Sequence, residues 1–350
     1  MNINTLTDFL EQSQCQFRIY DLGRKVTKIS NSDFKKIEHN DLPHPYPVQQ
    51  HAFIALTFWQ LNKQQAHFIW FLKMPVDEQG FMKIGAQTSF IKMVVEAMGK
   101  DLTANISKEQ QESLASNPFI FKPSVEKLAI FNAAINCSFI RPASSFYPAA
   151  LSYFSGTTDW DEWQTLGIQG IADLAARLGY DNNQQNIINA LPYLPQQPLQ
   201  SLALCLENQE KISTELATAI AKQAEFELQK GNQDSAILLL RALASAPAAG
   251  ICKALLEKQF ASNLIYNEHW YISIAGRLWT QLEDETLLNR FFEALANHHR
   301  DLFPELFVDL VAIPALRDKV LKQLRLSARS AALSEAIGML FSGVKNNKEE

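Results

Sequence analysis

A short pattern recurs along the second half of this chain at a fixed interval: two bulky apolar residues, a polar one, then Ala-Leu. It reads Ile187-Ile188-Asn189-Ala190-Leu191, Leu239-Leu240-Arg241-Ala242-Leu243 and Phe291-Phe292-Glu293-Ala294-Leu295, 52 residues apart each time. Leu199, Ile251 and Phe303 keep that register downstream, as do Ile220, Ile272 and Leu324. Such a period constrains the fold to an array of helical units, each burying an apolar face against the next. The reading is three units of about 52 residues from about residue 183, with room for three helices in each. The pattern specifies architecture and carries no chemistry.

From Ser124 onward the periodicity is helical: Val125 to Phe139, then Trp160 to Leu178 ending at Gly179, then the units. In the first unit Ser213 to Lys230 stops at Gly231, with Asp234 as the next cap. The first hundred residues read differently. Leu6, Phe9 and Leu10 mark a short helix, and Phe17–Tyr20 and Val26–Ile29 flank Asp21-Leu22-Gly23-Arg24 as a hairpin. Asn31 or Ser32 caps a turn through Phe34 and Ile37, and Pro43-His44-Pro45-Tyr46-Pro47 forces an extended linker. His51–Trp59 and Ala66–Met74 are apolar at nearly every position, which predicts central strands covered on both faces. Phe81–Ile84 reads as a short strand and Thr88–Met98 as a helix. The expected fold class is an α+β N-terminal domain over 1–100, an antiparallel meander with helices. A polar linker over 101–123 and an all-helical, solenoid-like domain over 124–345 follow.

At 350 residues and 47% apolar the chain supplies more than one core, and its net charge of -5 argues against a chain-wide grip on nucleic acid or anionic lipid. No run reaches the roughly 20 apolar residues of a bilayer-spanning helix, and Met1–Gln14 lacks the basic start of a signal peptide. Cys15, Cys137, Cys205 and Cys252 have no paired spacing, as expected of free thiols in a reducing compartment. The expected location is the cytoplasm.

Gly80 and Gly85 have the gap of a phosphate-binding loop, but Ala86-Gln87 follow where Lys-Ser/Thr must sit. Nucleophile-elbow, dinucleotide and zinc-protease motifs are absent. His39, His44, His51 and His67 crowd the N-terminal domain without an accompanying Cys or acidic cluster. They read as solvated loop and strand-end residues, so no metal and no cofactor is expected. Asp159, Asp161 and Glu162 read as a helix start, with Trp160 and Trp163 on one face of the helix that follows. One charged constellation is left. In a helix from Ala315 to Ala332, Lys322, Arg325 and Arg329 stack at i, i+3 and i+7 beside an apolar stripe, with Lys319 nearby. These four are the candidate partner-binding residues; a solvated face closing the last unit is the competing reading.

Leu6-Thr7-Asp8-Phe9-Leu10, Tyr20-Asp21-Leu22-Gly23-Arg24 and Trp70–Gly80 make the whole chain similar to a family of uncharacterised gamma-proteobacterial proteins, grouped as a domain of unknown function. That resemblance implies no activity, cofactor or catalytic residue. The helical half resembles HEAT or armadillo arrays, with a longer period than theirs. The expected function is a non-enzymatic scaffold that binds another protein through its helical surface. The alternative is an enzyme or small-ligand module with its site between the sheet domain and the first helices, lined by aromatics such as Phe53, Trp59, Trp70 and Phe71.

Overall fold

The computed structural model describes residues 5–60, 67–98, 117–262 and 265–346. It divides into Met1–Ser124 with Ala312–Arg317, and Val125–Val311 with Asp318–Glu350.

In the first unit, alternation of apolar residues builds a four-stranded antiparallel sheet in the order β2-β1-β3-β4, with β1 Cys15–Asp21, β2 Thr27–Ile29, β3 His51–Gln60 and β4 Phe68–Pro75. The hairpin expected around Asp21–Arg24 forms: Asp21 lies opposite Thr27, and the Gly23 amide donates to Asp21 Oδ2 at 3.0 Å. β3 is central. β4 is flanked differently from the expectation, because Phe119–Phe121 pairs with its outer edge: the Lys73 amide donates to Phe119 O and the Phe121 amide to Phe71 O. Those residues fall within the stretch read as a polar linker; residues 101–116 lie outside the described residues.

Helices α1 Leu6–Gln12, α2 Asn31–Glu38 and α3 Ile84–Met98 supply the rest of this core. Phe9, Phe34 and Phe90 pack with Ile19, Ile54, Leu56 and Leu72 in one buried cluster. Ser30 caps α2 by accepting the Asp33 amide, one residue before the expected cap. The short strand expected at Phe81–Ile84 is a single bridge, Val76 to Met82, because α3 already starts at Ile84. Glu38, at the end of α2 and 2% exposed, accepts the Leu6 amide at 2.8 Å and the Thr7 amide and hydroxyl. It thereby satisfies the orphan amides at the start of α1.

The second unit is helical, and among the described residues no strand follows Ser124. Its first elements are α4 Val125–Ser138, α5 Tyr147–Phe154, a 3-10 turn Trp160–Thr165, α6 Ile168–Ala176, α7 Asn183–Ala190, α8 Gln196–Leu206 and α9 Thr214–Gln229. After these come α10 Gln233–Ala242, α11 Ala249–Phe260, α12 Glu268–Arg277, α13 Glu285–His298, α14 Phe303–Val311, α15 Pro314–Gln323, which belongs to this unit from Asp318, and α16 Ala331–Asn346. Ser213 caps α9 and Gly231 follows it at φ +79°, as the sequence predicts; the next cap is Asn232 instead of Asp234. The helix expected over Trp160–Leu178 is interrupted. Leu166 and Gly167 are extended, so the two tryptophans sit on the 3-10 turn and α6 starts afresh. No helix among the described residues is long and apolar enough to cross a membrane.

Besides consecutive pairs such as α5 with α6 and α9 with α10, helices two apart pack on one another throughout this unit. α4, α6, α8, α10, α12, α14 and α16 contact in succession, and α5, α7, α9, α11 and α13 do likewise. Polar contacts show the same step: Arg241 reaches Glu207, 34 positions back; Lys258 reaches Glu225, 33 back; Asn267 reaches Asp234, 33 back. The 52-residue interval instead falls on every third helix, α7, α10 and α13, which alternate between the two rows. Ile187, Leu239 and Phe291 are all buried there, since helices of either row are covered on one face by their neighbours. Equivalence stops at the polar positions. Asn189 accepts from Gln185 of its own helix, Arg241 holds Glu207, and Glu293 accepts the Ser330 amide.

α5 crosses α6 closely at Gly170, where an added Cβ would lie 2.5 Å from Phe146 O. Gly170→Ala is expected to cost about 1–3 kcal/mol, as overpacking does when backbone cannot yield. Gly179→Ala, which meets nothing within 4 Å, is the control, and urea midpoints of the two variants decide.

Candidate functional site

The proline-rich segment does not stay in solvent. It folds over the Asp21–Arg24 turn, with Arg24 Nε donating to Pro47 O at 3.1 Å and Lys25 lying over the Tyr46 ring. His44, read from sequence as a solvated loop residue, is 0% exposed beside Asp21, also 0%. Its Nδ1 accepts the Tyr46 amide, which assigns the ring proton to Nε2, 3.6 Å from Asp21 Oδ1. Burial pushes the His44 pKa down to about 3. A histidine and an aspartate that no solute can touch form a structural pin. His39 and His51 stay local, their Nδ1–H groups donating to Lys35 O and Gln49 O. Among the described residues no three His, Cys, Asp or Glu side chains are grouped to hold a metal. The aromatics of the sheet are packing elements: Phe58 lies 4.6 Å from Trp70, which meets Phe90 edge-on, and Phe53 meets Phe121 edge-on.

The four basic candidates separate. The helix expected over Ala315–Ala332 ends at Gln323, and Ser330 caps the next one by accepting the Leu333 amide. Lys319 donates to Glu283 O, Lys322 pairs with Glu285 at 2.6 Å, and Arg329 turns back to Leu324 O and Ser334. Arg325 is exposed on the turn beyond α15. The cations chiefly tie α15 to the start of α13, and no single basic stripe survives.

A charged centre that sequence inspection missed lies at the C-terminal ends of α8, α10 and α12. Glu207, 4% exposed, takes Arg241 through Nε and a terminal nitrogen, both at 3.0 Å, and Arg277 Nε at 3.2 Å. Burial pushes its carboxyl up, and the two guanidiniums oppose that shift. Arginines at helix C-termini also complement the dipoles. One acid therefore staples three successive helices of one row.

At the opposite ends of α4, α6 and α8 lies a cleft of about 310 Å³. Trp163, Leu166, Ile171 and Leu204 give it apolar walls, while Glu126, Gln164, Gln197, Gln200 and Ser201 bring polar groups to it. The kink at Leu166–Gly167 turns Trp163 toward α8. On the same 3-10 turn Trp160 stacks on Tyr193 at 5.7 Å and 8° and meets Tyr153 edge-on, whose hydroxyl donates to Trp160 O.

A family model described as "Protein of unknown function (DUF3549)" matches residues 1–341. The chain belongs to the DUF3549 family. No curated protein and no solved structure matches it. The DUF3549 match runs through both units, so the sheet and the helical rows are parts of one family architecture.

In this DUF3549 chain the cleft brings apolar walls and groups that both donate and accept together in one open recess. Nothing in it has the nucleophile, base and orienting partner of a covalent mechanism. The sequence signal for it was present in Trp160 and Trp163, but the 3-10 geometry that aims them was not.

Proposed function

We propose that this chain is a non-enzymatic protein-interaction protein of the cytoplasm whose helical unit is an α-solenoid that holds a segment of another protein. The observation that carries the reading is the packing of helices two apart in two rows. In such an array each helix pair leans on its neighbours, so surface grows in proportion to length and extended faces are left for binding. The cleft at the start of α4, α6 and α8 is one such recess, with walls suited to an apolar side chain and amides suited to a peptide backbone. The free cysteines, three of them buried, support a reducing compartment.

Affinity purification from the native cell tests this. The wild-type chain should bring down a stoichiometric partner that the Gln200→Trp variant, with the cleft plugged, loses. If both recover the same proteins in the same yield, the cleft has no part in binding; if neither recovers any, the scaffold reading fails.

A further inference from the structure

The cleft carries an asymmetry of charge that identifies what it takes. Glu126 lines it, and Asp159, Asp161 and Glu162 are all exposed on the turn that supplies Trp163. Lys127 is the cation beside Glu126 on α4. Acidic residues near helix starts complement the dipoles, which accounts for each singly. Glu126 lines the recess itself, and the other three lie one to four residues before its lining residue Trp163.

Granted that the helical unit binds a partner protein, we propose that this cleft takes a short extended peptide segment in which an aliphatic side chain stands beside a lysine or arginine. The aliphatic group fits between Trp163, Ile171 and Leu204. Gln164, Gln197 and Gln200 each present a carbonyl and an NH₂ group, the pair that matches the N–H and C=O of an extended backbone. The cavity of about 310 Å³ has room for only one or two residues at the scale on which a water takes about 30 Å³. The cation then reaches the rim. Glu126 and the Asp159–Glu162 carboxylates attract it, and the exposed Tyr193 ring, stacked on Trp160, offers a face for cation–π contact. The chain's net charge of -5 favours such a partner at longer range. An acidic side chain in the same place would face Glu126 in place of a cation.

The test uses the full chain and fluorescein-labelled octapeptides read by anisotropy. One peptide carries a central Leu-Arg pair, a second Leu-Glu, a third Ala-Arg. The Leu-Arg peptide should bind at micromolar concentration, more than tenfold tighter than either control, and weaken as salt rises. Glu126→Lys, an exposed substitution, should weaken it at least fivefold, and Gln200→Trp should abolish it; unchanged urea midpoints show that both variants fold. Equal binding of the Leu-Arg and Leu-Glu peptides, or no binding of either by the wild-type chain, overturns the proposal. If the peptides fail while affinity purification still recovers a partner, the scaffold reading stands and this ligand class falls. If both fail, both readings fall.

Discussion

Truncating both arginines of the Glu207 centre, Arg241→Met with Arg277→Met, is expected to destabilise the helical unit by about 3–5 kcal/mol, the cost of stranding a buried charge without a partner. Glu207 is 4% exposed and cannot reach water from the end of α8 without opening the row. Adding Glu207→Leu to the double variant should return most of the loss. Replacing a whole buried ionic group by packed apolar side chains is often neutral, whereas removing one side of it is not. Urea unfolding measures all three proteins. If the triple variant is no more stable than the double, the staple does not work as a charge pair and its arginines act by packing alone.

His44 should impose the second large effect, on the acid side. Its folded pKa of about 3 lies below the ordinary 6.5, so the unfolded chain takes up a proton that the folded chain refuses. Its contribution is therefore complete above about pH 6.5 and is lost as pH falls toward 3, by up to roughly 4–5 kcal/mol. Glu38 has the opposite sign. Burial lifts its carboxyl to about 7 from 4.5, so its contribution is full below about pH 4.5 and is lost as pH rises through 7. Stability against pH should thus fall on both sides, with His44→Gln flattening the acid limb and Glu38→Gln the neutral one. An acid limb unchanged in His44→Gln would contradict the assignment.

Local signals were legible and tertiary ones were not. The Asp21–Arg24 hairpin, the Ser213 cap and the Gly231 stop depend on a few neighbouring residues, and they stand where the sequence places them. His44 was misread because prolines on both sides mark a loop, while its burial depends on a turn 20 residues earlier in the chain. Glu207 gave no local signal, since its partners belong to later helices. The step of two helices was hidden by unequal lengths: α7 has 8 residues and α9 has 16, so equivalent positions drift out of register. The 52-residue pattern survived that drift because it marks how any helix of the unit is covered.

For the candidate cleft, Trp160 and Trp163 were visible as a pair, but the role was not. A capping reading explained Asp159 and Glu162, and Asp159 does accept the Asp161 amide at 3.1 Å. What the sequence lacked was the break at Leu166–Gly167, which needs the packing of α6 on α8 to be felt.

Amide hydrogen exchange of the full chain, with and without the partner recovered by affinity purification, tests the central claim most directly. Binding in the cleft should slow exchange in residues 160–171 and 193–204 and leave α1, α2 and the β1–β2 hairpin unchanged. Protection confined to the sheet unit, with the helical rows exchanging as before, would contradict it.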